Sequence, residues 1–509
     1  MGLGRTWSVA LVGVAGHLVQ VEAHVANGLP AFIIVGLPDA SLSEAKERVR
    51  AAVTSSELPW EARRRTVNLS PASLPKAGSG FDLAVAVACL LASGLPAAAV
   101  AGRSVHLGEL GLDGRIHPVR GVLPAVAAAV AAGRRDVVVP AGNLAEARLV
   151  PGARVRGVHH LAELARDYGL DVAAPAPPAP VPAAPPPPQL DADLADVLGQ
   201  PDARFALEVA AAGGHHLFLV GPPGAGKTML AARLPGILPD LDDDAALEVT
   251  SIHSVAGTFD PAAGLLRRPP FEDPHHTATA AAVVGGGSGV PRPGAASRAH
   301  RGVLLLDEAP EFQRRVLDSL RQPLENGELV IHRARGTARY PARFQLVLAA
   351  NPCPCGQATG KGLRCTCSPL VRRRYLARLS GPLLDRVDIQ LDVPAVTRAE
   401  LSTTAESSAE VAARVRRARQ VQQDRWAPTP WRTNAEVPGG WLRSSEHGLG
   451  DGPRVALERA LDAGTLSLRG MDRVLRLAWT LADLAGVAQP GLDEIGGAMS
   501  LRTRGASYG

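Results

Sequence analysis

Residues 217–228 read LFLVGPPGAGKT, an apolar run followed by a glycine-rich turn that ends in Lys-Thr. Gly221, Gly226, Lys227 and Thr228 fit the G-x-x-x-x-G-K-[ST] phosphate loop. Glycines let the backbone curl until successive N–H groups point inward at phosphate oxygens, and the following helix turns its positive end to the same anion. Gly221, Pro222, Pro223, Gly224, Ala225 and Gly226 would line that cradle, with Lys227 reaching the β- and γ-phosphates and the Thr228 hydroxyl on Mg²⁺. The chain holds 54 Lys plus Arg, yet its lysines are only Lys46, Lys76, Lys227 and Lys361. One of them stands where a flexible point charge is wanted on phosphate. The expected ligand is ATP with Mg²⁺.

Downstream, GVLLLDEAPEF (302–312) reads as a buried strand ending in Asp307 and Glu308. Asp307 is placed to orient Mg²⁺, and Glu308 to polarise the attacking water as general base. A third run, FQLVLAANP (344–352), ends in Asn351, a polar sensor of the γ-phosphate or the water. Directly after it come Cys353, Cys355, Cys365 and Cys367, four of the five cysteines. Two C-x-C pairs across a loop can supply four thiolates to Zn²⁺, a structural site because no position is left open for water.

These residues need elements to hold them. The proline-rich run 174–189 cannot form a core and reads as a linker. Residues 1–173 before it alternate strand-like runs (31–35, 66–69, 105–112, 136–139) with helical ones (42–53, 82–93, 122–132). The nucleotide module is expected over 190–395, with strands at 217–220, 303–306 and 345–349. Residues 396–509 read as a helical lid, with helices at 407–425, 453–462 and 470–485. The fold class is α/β. Alternation at Val19, Val21, Ala23 and Val25 favours a strand over a signal peptide, and no apolar stretch of membrane-spanning length lacks Gly, Pro or charge. A cytoplasmic location is expected. The net charge of +5 permits nucleic-acid contact without requiring it. LVIHRARGTARYPARF (329–344) reads as a β-hairpin turning near Gly336, with Arg333, Arg335 and Arg339 along it as candidate DNA-phosphate contacts.

VGLPDASLSEAKERV, RFALEVAAAGGHH, PHHTATAAAVVGGG, LRQPLENG, AANPCPCG and SGPLLDRVDI occur in this order and cover nearly the whole chain. Together they resemble the YifB/ComM family of AAA+ ATPases of the magnesium-chelatase type. The resemblance implies a P-loop AAA+ core with a parallel sheet, a C-terminal helical lid and a homo-oligomeric ring, a hexamer. Arg386 would be the arginine finger offered in trans, and Arg473 the sensor-2 arginine, with Arg469 as its rival. The chain departs from the family pattern at Ala225, where serine is usual, at Glu272-Asp273 before Pro274, and at Ala295-Ala296.

The N-terminal region resembles the proteolytic domain of Lon-type proteases through LPKAGSGFDLAVA and LGELGLDGRIHPVRGVLPAVAAAVAAG. In that register the nucleophilic serine falls on Gly80 and the lysine region on Leu123, Pro124 and Ala125, so an inactive scaffold is expected. Asp39, Ser41 and Ser43 fit D-x-S-x-S, but a helix N-cap is the preferred reading. The expected function is an ATP-driven ring acting on single-stranded or branched DNA, by resemblance in branch migration during recombination of incoming DNA. A metal-insertion ATPase and a Lon-type protease are the alternatives.

Overall fold

The computed structural model describes residues 2–36, 40–76, 78–177, 192–287, 291–333, 336–358, 364–397, 400, 405–444 and 449–502. Most of the proline-rich run therefore lies outside the described residues, as do Asp39 and the side chains of Ser41 and Ser43.

The N-terminal region forms β1 (Gly2–Val12), β2 (Ala15–Ala26), β3 (Ala31–Val35), β4 (Arg64–Ser70), β5 (Val105–His106), β6 (Glu109–Leu110), β7 (Ile116–His117), β8 (Asp136–Pro140) and β9 (Arg154–Val158). Seven of them make one sheet in the order β3-β4-β2-β1-β5-β8-β9, and β6 and β7 make a separate ribbon. Val19, Val21, Ala23 and Val25 all fall on the buried face of β2, where they meet the helices Ala40–Ser55 and Asp82–Ala92. The helix Val122–Ala131 covers the other face. The run 105–112 is not one strand. Gly108 donates its N–H to the Gly80 carbonyl (3.0 Å) and accepts from Leu83 N–H (3.1 Å), so the backbone leaves the sheet to clamp the start of helix Asp82–Ala92.

The second sheet is built from β10 (Leu217–Val220), β11 (Phe271–Glu272), β12 (Val303–Leu306), β15 (Gln345–Ala350) and β16 (Ile389–Asp392), in the order β11-β12-β15-β10-β16. Every pairing in it is parallel. Such a sheet is covered on both faces, so its strands are apolar throughout and do not alternate. Leu217 and Leu219 join one cluster, while Phe218 and Val220 join another. Between β12 and β15 lies the hairpin β13 (Glu328–Arg333) and β14 (Gly336–Pro341).

The C-terminal helices Ser408–Trp426, Asp451–Asp462, Leu468–Ala485 and Leu492–Ser500 share the first of these clusters with the sheet. Helix Ser408–Trp426 opens with a capping box between Ser407 and Glu410. Helix Leu468–Ala485 is capped by the Ser467 side chain and ends at Gly486 in the left-handed region, φ 73°. Trp426 stands at the centre of the lid. Its indole N–H donates to Asn434 (3.1 Å), and the rings of Trp431, Trp441 and Trp479 meet it edge-on.

Among the described residues the two α/β units touch at two places. Gly121 N–H donates to the Ser254 carbonyl (3.3 Å), and the Ser254 hydroxyl donates to the Glu146 carboxylate. Leu247 and Leu265 complete the apolar cluster beneath helix Val122–Ala131. Farther along, Gly13 in the β1–β2 turn has φ 66°, and a Cβ there would lie 2.2 Å from the Arg339 carbonyl oxygen. Only glycine lets the first hairpin of the chain rest on β14.

Because Trp426 is buried in a core shared by lid and sheet, Trp426→Ala should cost about 3–5 kcal/mol. Calorimetry should show the lid and the nucleotide unit losing stability together, whereas an unshifted main transition would count against a shared core.

Candidate nucleotide site

The parallel sheet carries the ends of β10, β12 and β15 to one edge, where the glycine-rich loop follows β10, Asp307 follows β12 and Asn351 follows β15. Gly224 and Gly226 have φ 77° and 83°, and a Cβ at Gly224 would meet nothing within 4 Å, so the loop is open on that side. Helix Lys227–Ile237 begins with no side-chain cap and no acidic residue in its first turn. Its first N–H groups have no partner within the helix, which leaves a positive end facing the loop. Ala225, where the family pattern has serine, is buried in the core shared with the lid.

Lys227 folds back into the loop. Its Nζ donates to the carbonyls of Gly221 (2.8 Å) and Pro222 (2.9 Å) and to Asn351 Oδ1 (3.3 Å). Burial lowers its pKa, against the pull of Asp307 and Glu308. Thr228 Oγ1 donates to Asp307 Oδ2 at 2.5 Å, and the other Asp307 oxygen accepts from Glu308 N–H at 2.8 Å. Thr228 and Asp307 are thus an oxygen pair of the kind that Mg²⁺ takes. Gln200 anchors the loop from outside, donating to the carbonyls of Ala225 (2.7 Å) and Pro394 (2.9 Å).

Glu308 sits in the left-handed region at φ 51°, a conformation disfavoured for a residue with a Cβ. Its carboxylate lies 3.0 Å from His276 Nδ1. The sequence motif PHHTATAAAVVGGG contains this histidine, but only the fold brings it to Glu308. Its one sequence signal is that a titratable pair, His275-His276, interrupts an otherwise small-residue segment. Glu272 is also accounted for, since Arg298 grips it through two bonds of 2.8 and 2.6 Å.

The arginines gather elsewhere. Asp388 precedes β16, whose first residue Ile389 pairs with Leu217, whereas the phosphate loop follows Val220 at the other end. At about 3.3 Å per residue the two ends of these four-residue strands are about 10 Å apart. Arg473 donates to Asp388 Oδ1 (2.8 Å), and Arg469 approaches Asp385 (3.5 Å). Arg386 is held by the Glu325 carboxylate and the Pro382 carbonyl. Burial lowers the Arg386 pKa, and Arg473, Arg321 and Arg469 lower it further, so these guanidiniums form one cluster. Burial alone would raise Asp388, yet Arg473, His215 and Arg476 hold it well below the ordinary carboxylate range. His215 completes the arrangement, with Nδ1 3.1 Å from Asp388 and Nε2 2.8 Å from the Thr480 hydroxyl.

On the hairpin, Arg339 is exposed and paired with Glu328 at 2.7 Å. Arg335 and the Arg333 side chain lie outside the described residues. The four clustered cysteines converge, their sulfurs all within 4.8 Å of one another. Hydrogen bonds from the Gln357 backbone and from Cys353 bring the Cys355 thiol down to about 6. In the N-terminal sheet domain, Leu123 is fully buried and a Cβ on Gly80 would meet nothing within 4 Å. The nearby Ser79 hydroxyl donates to Glu109 and the buried Lys76 amine to the Pro71 carbonyl, so no serine–lysine pair forms among the described residues.

The family described as magnesium chelatase, subunit ChlI, matches residues 193–401, with companion matches over 21–143 and 405–502. An uncharacterized protein of Mycobacterium tuberculosis is 52% identical over 99% of this chain and 100% of its own length. Competence protein ComM of Haemophilus influenzae is 41% identical over 97% of both chains. The uncharacterized protein YifB of Escherichia coli is 41% identical over 95% of this chain and 94% of its own. A shorter likeness, 29% over 158 residues, links the chain to Lon protease 2 of Bacillus subtilis and covers 27% of this chain and 26% of that one.

Removal of His276 should leave Glu308 unoriented. His276→Ala is expected to lower kcat about tenfold with KM unchanged, and His276→Asn to recover part of it. Glu308→Gln should lose about 10²–10⁴-fold in turnover while still binding ATP. Equal kcat in His276→Ala and the parent chain would separate His276 from the reaction.

Proposed function

Since the chain belongs to the YifB/ComM family of magnesium-chelatase-like AAA+ ATPases, we propose that it is a hexameric ring that uses ATP hydrolysis to move along or remodel DNA. The observation that carries the ring is the separation of Arg386 and Arg473 from the phosphate loop of their own chain by the length of β16. A neighbouring copy would receive them. There Arg386 would meet the charge that develops on the transferred phosphoryl group, an effect worth about 10³–10⁵-fold in rate. Arg473, fixed by Asp388, acts beside it as the sensor, and Arg469 is the more exposed of the two candidates.

Bound MgATP supplies the γ-phosphoryl group and the metal charge. Lys227 would exchange its carbonyl partners for phosphate oxygens, and Thr228 and Asp307 would hold Mg²⁺. Glu308, steered by His276, accepts the proton of the attacking water, and Asn351 relays the state of the γ-phosphate to β15. The four cysteines would hold a structural zinc ion.

DNA as the substrate is supported by the likeness to a competence protein and by the arginine hairpin. An exposed pair such as Arg339–Glu328 is worth at most about 1 kcal/mol, so Arg339 can trade its partner for a DNA phosphate at little cost. The metal-insertion reading shares the same ATPase core. The peptidase reading is disfavoured by Gly80 and Leu123, where the dyad would stand.

ATPase rates measured with single-stranded, duplex and branched DNA test the proposal: stimulation by one of them is expected, and indifference to all three would refute a DNA motor. Replacing Arg333, Arg335 and Arg339 by Ala should weaken DNA binding for every sequence alike and reduce the slope of log K against log salt by about one to three units. Arg386→Ala and Lys227→Ala chains should each be inactive alone and partly active when mixed. Mixed rings without activity, once exchange is verified, would exclude the trans finger.

A further inference from the structure

The four thiolates are built into the nucleotide site and do not stand apart from it. Cys353 Sγ lies 3.3 Å from Cys355 Sγ and 3.7 Å from Cys365 Sγ, and Cys355 is 3.7 Å from Cys365. A tetrahedron of thiolates about 2.3 Å from zinc requires sulfurs about 3.8 Å apart. The group therefore fits a thiophilic divalent cation with little rearrangement.

Three contacts run from this cluster to the phosphate site. First, Cys353 follows Asn351 by two residues at the end of β15, and Asn351 touches Lys227 at 3.3 Å. Second, the turn that begins at Cys353 closes with a Gly356 N–H bond to the Cys353 carbonyl (2.9 Å) and lies directly on the phosphate loop. A Cβ on Gly356, which has φ 75°, would sit 2.5 Å from Cδ and 2.6 Å from Cγ of Pro223. Third, the Cys367 carbonyl accepts from Arg372 Nε at 3.2 Å, at the start of the helix Pro369–Leu376. Just beyond that helix, Arg378 bonds Glu311 (2.8 Å) and the Pro310 carbonyl (3.2 Å) in the turn after Glu308.

From this geometry we infer that metal occupancy of the Cys353, Cys355, Cys365 and Cys367 site is coupled to nucleotide occupancy of the phosphate loop through the Gly356–Pro223 contact. The metal fixes the turn, the turn supports the Pro223 wall of the loop, and a filled loop in turn braces the turn around the metal. The coupling rests on the zinc and nucleotide readings above, and it must act equally in both directions, because linkage between two binding equilibria is reciprocal.

The test uses the purified full chain and two measurements. Zinc transfer to a chromogenic chelator is followed with and without ATPγS, and a fluorescent ATP analogue is titrated into the metal-loaded and chelator-stripped protein. ATPγS should slow zinc release about fivefold or more, and stripped protein should bind the analogue more weakly. Lys227→Ala should release zinc at one rate whether or not nucleotide is present. Gly356→Ala should keep about one zinc per chain while binding the analogue more weakly, because its methyl group displaces Pro223. Equal release rates at saturating ATPγS, together with equal analogue affinity in stripped protein, would overturn the coupling while leaving the zinc site standing. Protein prepared without chelator that contains no metal would overturn the zinc reading itself, and the coupling with it.

Discussion

All five strands of the ATPase sheet run in one direction, and the chemistry of the molecule follows from that constraint. Parallel pairing brings the ends of β10, β12 and β15 to one edge, so Lys227, Asp307 and Asn351 converge although they are far apart in sequence. The same constraint puts the residues that precede β16 at the opposite edge. Arg386 and Arg473 are there, with Asp388. A sheet of mixed direction would have scattered both groups. The sheet thus separates an edge that carries the phosphate loop from an edge that carries a cluster of guanidinium groups.

The arginine edge is kept in shape by a buried polar network. Asp388 and His215 come from the entrances of two neighbouring strands, and Arg473 and Thr480 from one lid helix. Asn434 extends the network, donating to Thr480 (3.1 Å) and to Asp483 (2.8 Å), which Arg425 also grips. Burial of charges is expensive, so such a network adds less stability than its bond count suggests. Its effect is geometric. Each member has a defined partner, and the lid can therefore sit on the sheet in one orientation, with Arg473 locked to Asp388, two residues after Arg386.

In the N-terminal domain the two positions that the Lon-type resemblance singles out carry neither a hydroxyl nor an amine. Leu123 is fully buried hydrocarbon, and Gly80 has no side chain and open space beside its Cα. What the domain supplies in return is contact. Its Glu146 carboxylate accepts from Ser254, on the helix Asp243–Ala256 of the ATPase unit, and its Gly13 turn rests on β14 of the arginine hairpin. Movement of that hairpin would be felt directly by the N-terminal sheet.

Much of this was legible in the sequence, for a local reason. A phosphate loop, an apolar strand ending in Asp-Glu, and an apolar strand ending in Asn are each written within a dozen residues. The strands β10, β12 and β15 and the main lid helices fall where periodicity and composition put them. The four cysteines were recognisable as a set because they fall as two C-x-C pairs. Only the tertiary structure decided what touches these pieces. No periodicity links His276 to Glu308, Gly356 to Pro223, or Arg473 to Asp388, and the break at Gly108 depends on carbonyls supplied by a distant loop. Spacing along the chain determines which chemistry each segment can perform. Which segments meet depends on strand order and packing, because contacts between separated elements are selected by the whole core and leave no mark on the local pattern.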